Sequence, residues 1–247
     1  MASGISLAGK VALVIGGAGG IGAATCVMLA DEGARVVMTH RPGDEPAAKA
    51  NQKLGALKGE GHAALPADVG DTATLLALRD QIATRYGRLD ILVNSAGFTK
   101  PVPHGDLDGL TDDLIDRMFE VNWRGQYAAI RTFAPMLKAS GDGLIVQVSS
   151  IAAFRGSGSS VVYGATKAGL DVMVTSLARA LGPEIRLLAV SPGAVDTNFV
   201  PGRGADFNAK AAAANPLKRI ATPEDCARAI VACATHLTYA TGVKIVV

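Results

Sequence analysis

Apolar residues along the chain follow two alternating rhythms. Short, nearly continuous runs rich in Val, Ile and Leu lie near 11–15, 35–39, 62–66, 89–93, 143–148, 185–190 and 242–247. Between them, near 20–32, 44–58, 71–86, 111–138, 159–181 and 223–236, apolar positions recur at helical spacing. A strand buried on both faces has no polar side to show, so the short runs read as strands of a parallel sheet. Such strand–helix alternation joins through right-handed crossovers and sets helices on both faces. No linker or repeat interrupts it, and the only biased tract is Ala-rich, at 209–214. The expectation is an α/β fold: a single doubly wound domain over 1–247.

One segment breaks the rhythm. Residues 198–220 (NFVPGRGADFNAKAAAANPLKRI) form a long connection punctuated by Pro and Gly. Long connections in compact domains are commonly functional. This one follows the sixth strand at the sheet edge where ligands bind in open α/β folds, and it reads as a substrate lid.

Composition narrows the function classes. With 49% apolar residues among 247, the chain can bury a large core. Twenty-four basic against 22 acidic residues leave a net charge of +2, too balanced and too dispersed for a nucleic-acid partner. His40, His62, His104 and His236 show no ligand spacing, so no metal is expected. Cys26, Cys226 and Cys233 are an odd number without paired spacing, and read as reduced residues of a cytoplasmic protein. The N-terminal MASGISLAGK lacks the pattern of a signal peptide, and no apolar run approaches the roughly 20 residues of a membrane span.

Chemistry concentrates at three places. Tyr163 and Lys167 stand four apart in a helical pattern and therefore on one face. Ser149-Ser150 ends the apolar run shortly upstream. A phenol titrates at about 10, and a cation beside it favours the phenolate and brings it toward useful acid–base range. A serine hydroxyl nearby can hold a carbonyl oxygen. Taken alone, the pair also fits a helix with a half-buried Tyr and a solvated Lys. The third place is Gly16-Gly17-Ala18-Gly19-Gly20-Ile21-Gly22, between a buried strand and a helix, where glycines let backbone and helix N-terminus approach a dinucleotide pyrophosphate.

These landmarks, with Asp68-Val69, Asn94-Ser95-Ala96-Gly97, Asn122, Pro192-Gly193 and Thr197, resemble the classical short-chain dehydrogenase/reductase family, in the family's order from about Ala8 to Val247. Thr222-Pro223-Glu224-Asp225 and Thr241-Gly242 also match. Three positions depart from it: Ile15 replaces the usual Thr, Ser95 the usual second Asn, and no Asp-Gly-Gly follows the last strand. The resemblance implies a Rossmann-type sheet of seven strands ordered 3-2-1-4-5-6-7. It also implies hydride transfer between NAD(P)(H) and a carbonyl or secondary-alcohol substrate, as in 3-oxoacyl reductases or general carbonyl reductases. The alternative is a non-catalytic nucleotide sensor or scaffold on the same fold.

By the same resemblance, Tyr163 exchanges the proton and Lys167 lowers its pKa and binds the nicotinamide ribose. Ser150, rather than Ser149, orients the carbonyl, and Asn122 holds a relay water. Gly16, Ala18, Gly19, Gly20, Ile21 and Gly22 cradle the phosphates. Asp68 and Val69 meet the adenine, and Asn94, Ala96 and Gly97 border its ribose. Pro192, Gly193, Val195 and Thr197 face the nicotinamide. At the end of the second strand His40 and Arg41 stand where NAD enzymes commonly carry a carboxylate, so NADP is the expected cofactor, with NAD as the other possibility. Phe98, Ala152, Phe154, Phe199 and Phe207 would line an apolar pocket, with Arg155, Arg203 and Lys210 as candidates for an anionic group. Family members commonly pair the helices near 111–138 and 159–181 across a two-fold axis, which implies a homo-oligomer, a tetramer.

Overall fold

A computed structural model describes residues 5–247; the first four residues of the N-terminal stretch discussed above lie outside them. Parallel strands β1 (Val11–Ile15), β2 (Arg35–His40), β3 (Ala63–Pro66), β4 (Ile91–Asn94), β5 (Gly143–Val148), β6 (Ile185–Ser191) and β7 (Lys244–Val246) form one sheet. Their order is β3-β2-β1-β4-β5-β6-β7, with every pair parallel. That is the order the resemblance implied.

The side chains of the central strands divide between two cores, as the period of two requires. Val11, Leu13 and Ile15 face one layer with Leu75, Leu78, Phe133, Leu137 and Leu170. Ala12 and Val14 face the other, with Cys26, Leu29, Ile230 and Val231. The first layer holds α3 (Thr72–Tyr86), α5 (Gly125–Ala139) and α7 (Val161–Leu181); the second holds α1 (Gly20–Asp31), α2 (Asp44–Leu54) and α9 (Pro223–Thr235). Polar residues start the helices where the pattern changes. Asp71 caps α3, Ser160 caps α7, and Thr222 with Asp225 forms a capping box on α9, with Pro223 in its first turn.

Three predicted elements need correction. The helix expected over 111–138 is α4 (Asp112–Phe119), a π-helical turn at Glu120–Arg124, and α5. The Gly125 amide bonds back to the Glu120 carbonyl, an i→i+5 step that inserts one residue and re-aims the turn carrying Asn122. Apolar periodicity is blind to one added residue. The connection 198–220 is not irregular throughout, because α8 (Ala205–Ala214) occupies its Ala-rich part. A short α6 (Ala152–Arg155) follows β5 and was not foreseen. Among the described residues, no helix is long and apolar enough to cross a membrane.

Candidate active site

Because all strands run parallel, their C-terminal ends meet along one edge, and every sequence-predicted site residue lies on or beside the loops that leave it. β1 opens into the glycine loop. Gly16 has φ +76°, a backbone that L side chains rarely adopt, and a Cβ there would stand 2.7 Å from the Ala96 amide nitrogen. A Cβ on Gly22 would overlap the Gly16 carbonyl oxygen. Gly20 sits under Thr197, whose methyl would be 2.8 Å from an added Cβ. Gly19 is the N-cap of α1 and brings no side-chain acceptor, so the first-turn N–H groups of Gly20, Ile21 and Gly22 stay open to an anion. A cradle with no room for side chains, ending on an uncapped helix, fits a dinucleotide pyrophosphate.

The hydroxyl missing at Ile15 is supplied from the neighbouring strand. Ile15 is buried in the core, and the Gly16 amide donates instead to Thr39 Oγ1 at 2.9 Å. The Ala18 amide donates to the Thr39 carbonyl at 3.2 Å, so the loop is sewn to the end of β2. His40 and Arg41 follow. His40 is buried and its Nδ1 is taken by the Arg41 carbonyl at 2.8 Å, which leaves Nε2 alone for a ligand. Arg41 is exposed. A residue not singled out in the sequence joins them: Lys53, near the end of α2, donates from Nζ to the Ala18 carbonyl at 2.6 Å. The cation that the loop lacks in sequence thus arrives from 35 positions away, beyond the reach of any local motif.

Asp68, after β3, accepts from the Gly70 amide at 2.8 Å through Oδ1, and Val69 packs beneath. The Asn94 side chain is buried, and its Nδ2 donates to the Gln126 carbonyl at 3.4 Å; Ala96 and Gly97 follow in the same loop. Pro192 and Gly193 follow β6; the Pro192 carbonyl accepts from the Ile151 amide at 3.0 Å and the Gly193 amide donates to the Val247 carbonyl at 2.8 Å. Val195 bridges Ala221, which closes the base of the 198–220 segment.

The chemistry-bearing side chains converge at the ends of β4 and β5. Ser160 accepts from the Tyr163 amide at 3.2 Å and starts α7, so Tyr163 and Lys167 project from its first two turns. Both are buried. Lys167 Nζ donates to the Val148 carbonyl at 2.8 Å. Ser149 and Ser150 part ways here: the Ser149 hydroxyl is buried and donates to Asp171 at 2.6 Å, while Ser150 remains partly open beside the phenol and accepts from the Ala152 amide at 3.1 Å. Asn122 lies fully buried in the π-helical turn. Its Oδ1 accepts from the Phe98 amide and its Nδ2 donates to the Phe98 carbonyl, both at 2.9 Å. A Cβ on Gly97 would stand 3.2 Å from Asn122 Oδ1 and 3.9 Å from Lys167 Nζ, which puts Asn122, Gly97 and Lys167 side by side.

The electrostatics differ from the expectation that Lys167 pulls the phenol down. Burial pushes Tyr163 up to about 12, opposed by the Ser150 hydroxyl and the charge of Arg203. Burial pushes Lys167 down to about 8, opposed by Asp171 one turn along. At neutral pH the pair is a phenol and an ammonium: a proton donor beside a cation.

The 198–220 segment touches this site through one aromatic residue. The Phe199 ring packs on Tyr163 with centroids 6.0 Å apart, and Arg203 lies over Phe207 at 4.1 Å. Phe98 packs with Ala152 and Tyr163. Phe154 departs from the expected lining, since Lys244 Nζ sits over its ring at 4.6 Å while donating to Asp171 at 3.0 Å. Asp171 was likewise invisible in sequence, because its partners Ser149 and Lys244 come from other strands.

A family model described as enoyl-(acyl carrier protein) reductase matches residues 16–247. The cis-4-hydroxycyclohexanecarboxylate dehydrogenase of Sinomonas cyclohexanicum is 39% identical, covering 92% of this chain and 90% of its own. The L-rhamnose 1-dehydrogenase (NAD(P)(+)) of a Sphingomonas species is 35% identical, covering 98% and 95%. The crystal structure of a dehydrogenase/reductase from Sinorhizobium meliloti 1021 superposes with a TM-score of 0.87 at 34% identity, covering 100% of this chain and 96% of that one.

Proposed function

The chain belongs to the short-chain dehydrogenase/reductase family and is an NAD(P)-dependent oxidoreductase of small molecules, and from that premise we propose that it reduces a carbonyl compound to a secondary alcohol with Tyr163 as the proton donor. The observation that carries this reading is the buried, protonated phenol between Ser150 and Lys167, on the edge that also holds the glycine loop. The nicotinamide, when bound, supplies the hydride. The Tyr163 hydroxyl gives its proton to the substrate oxygen, which the Ser150 hydroxyl orients. Lys167 binds the nicotinamide ribose and keeps a positive charge near the phenol, sustained by Asp171. The Asn122 side chain, bonded to both Phe98 backbone groups, fixes Phe98 and Gly97 beside Lys167, where Asn122 is placed to hold a relay water toward Lys167. The lid, with Phe199 on Tyr163, excludes water from the reacting oxygen.

Arg41 and Lys53 make NADP the preferred cofactor. They supply two cations around the glycine loop, while Asp44 and Glu45 lie in the next helix and Glu45 is paired with Lys49. A 2′-phosphate gains charge-assisted hydrogen bonds from such groups; a 2′-hydroxyl does not. With a panel of ketones and aldehydes, kcat/KM is expected to favour NADPH over NADH. Arg41→Ala is expected to erode that preference by on the order of 1–3 kcal/mol and to leave NADH turnover nearly untouched. No turnover with any carbonyl sinks the activity; an unchanged cofactor ratio in the variant sinks the role of Arg41.

The same reading extends to assembly. A groove of about 450 Å³ between α5 and α7, lined by Tyr127, Ile130, Ala134, Leu177 and Leu181, lies away from Tyr163, and Val172 is exposed on α7. A second copy of this chain covers it, giving a homotetramer built on these helices. Sedimentation at micromolar concentration is expected to show it, and a monomer there refutes it. Cys26, Cys226 and Cys233 are buried and unpaired, in keeping with the reducing cytoplasm.

A further inference from the structure

The lid carries a cation whose surroundings call for an anion. Arg203 lies in the turn closed by its own amide on the Val200 carbonyl, four residues after Phe199 reaches the Tyr163 ring. Its guanidinium carbon lies 4.1 Å from the centre of the Phe207 ring, a cation–π contact that leaves the guanidinium N–H groups able to meet an anion. Among the described residues no carboxylate pairs with it; Asp196, earlier in the same connection, accepts from Asn208 at 2.8 Å. Partial burial lowers Arg203, and its charge acts on the Tyr163 hydroxyl. The other candidates lack this placement. Of the three, only Arg203 has a charge that acts on the phenol, and Arg155 and Lys210 do not. A cation set against an aromatic ring, with no ion-pair partner among the described residues, is stabilised when a ligand brings an anion.

We propose that Arg203 receives an anionic group of the substrate, so that the protein acts on oxo acids: the carbonyl meets Ser150 and Tyr163 while a carboxylate on the same molecule meets Arg203. This rests on the carbonyl-reductase reading above. Phe199 and Phe207 then hold the apolar body between the two polar ends, which accounts for a pocket at once aromatic and cationic. A cofactor phosphate is the other source of an anion for Arg203, and the test separates the two.

The experiment compares ring and chain keto acids with their methyl esters, for example 4-oxocyclohexanecarboxylate and methyl 4-oxocyclohexanecarboxylate, on wild type, Arg203→Ala and Arg203→Lys. The dissociation constant of NADPH is measured on each. Wild type is expected to favour at least one acid over its ester by about 10- to 100-fold in kcat/KM, the scale of one hydrogen-bonded charge pair. Arg203→Ala is expected to collapse that ratio toward one, chiefly through KM. Arg203→Lys is expected to restore part of it, with NADPH affinity the same in all three. The proposal is overturned if no acid outperforms its ester in wild type, if Arg203→Ala depresses acid and ester alike, or if the variant loses NADPH affinity instead. Esters that wild type reduces and Tyr163→Phe does not would leave the reductase reading standing after such a result.

Discussion

Tyr163→Phe is expected to lower kcat for carbonyl reduction by about 10²–10⁴-fold, the usual cost of losing a general acid. The ring stays, so its packing with Ala152, Val162 and Phe199 is kept and the fold and dinucleotide affinity should change little. The pH dependence follows from the two shifted groups. Tyr163 is held up near 12 and remains a donor across the assay range, whereas Lys167 loses its charge as pH rises through about 8. Reduction should therefore be level below that point and decline above it. Alcohol oxidation, which needs the phenolate, should rise with pH instead. Near-wild-type reduction by Tyr163→Phe, in a protein with an unchanged melting curve, would remove Tyr163 from the mechanism.

The sheet was legible in the sequence because a strand buried on both faces needs no environment to decode. Val11–Ile15, Gly143–Val148 and Ile185–Ser191 are buried at nearly every position, and apolar runs marked each. The glycine loop was legible for a related reason: its residues are set by backbone geometry, at Gly16 by a positive φ and at Gly22 by a contact within the loop itself. What stayed hidden depends on residues distant in sequence. The added residue of the π-helical turn leaves no periodic trace, yet it carries Asn122 to the Phe98 backbone. Lys53 reaches Ala18, and Asp171 joins Ser149 to Lys244, only because β2, β5 and β7 are placed by the sheet. Burial of Tyr163 and Lys167 is hidden for the same reason. Spacing puts a lysine one turn away but does not report how far both groups are withdrawn from water.

Within the glycine loop, Gly22→Ala is expected to weaken dinucleotide binding by at least ten-fold and to cost stability, and Gly19→Ala to do both much less. The two positions lie three residues apart in one loop but differ in what surrounds them. A methyl at Gly22 collides with the Gly16 carbonyl oxygen, and Gly16 and Gly17 backbone atoms stand behind it. Backbone cannot rotate aside as a side chain can, so α1 must lift from the loop. Overpacking of this kind costs about 1–3 kcal/mol and sometimes more. The same shift displaces the first-turn N–H groups from the pyrophosphate position, which converts a packing defect into a binding defect. At Gly19 the nearest atom to an added Cβ is the same oxygen, but at 3.2 Å, and the backbone there is extended, with φ −78° and ψ 176°, a conformation alanine adopts freely. Calorimetric titration with NADPH and thermal melts on both variants give the comparison. If Gly22→Ala binds and melts like Gly19→Ala, close approach of α1 to the loop is not what makes this edge a dinucleotide site.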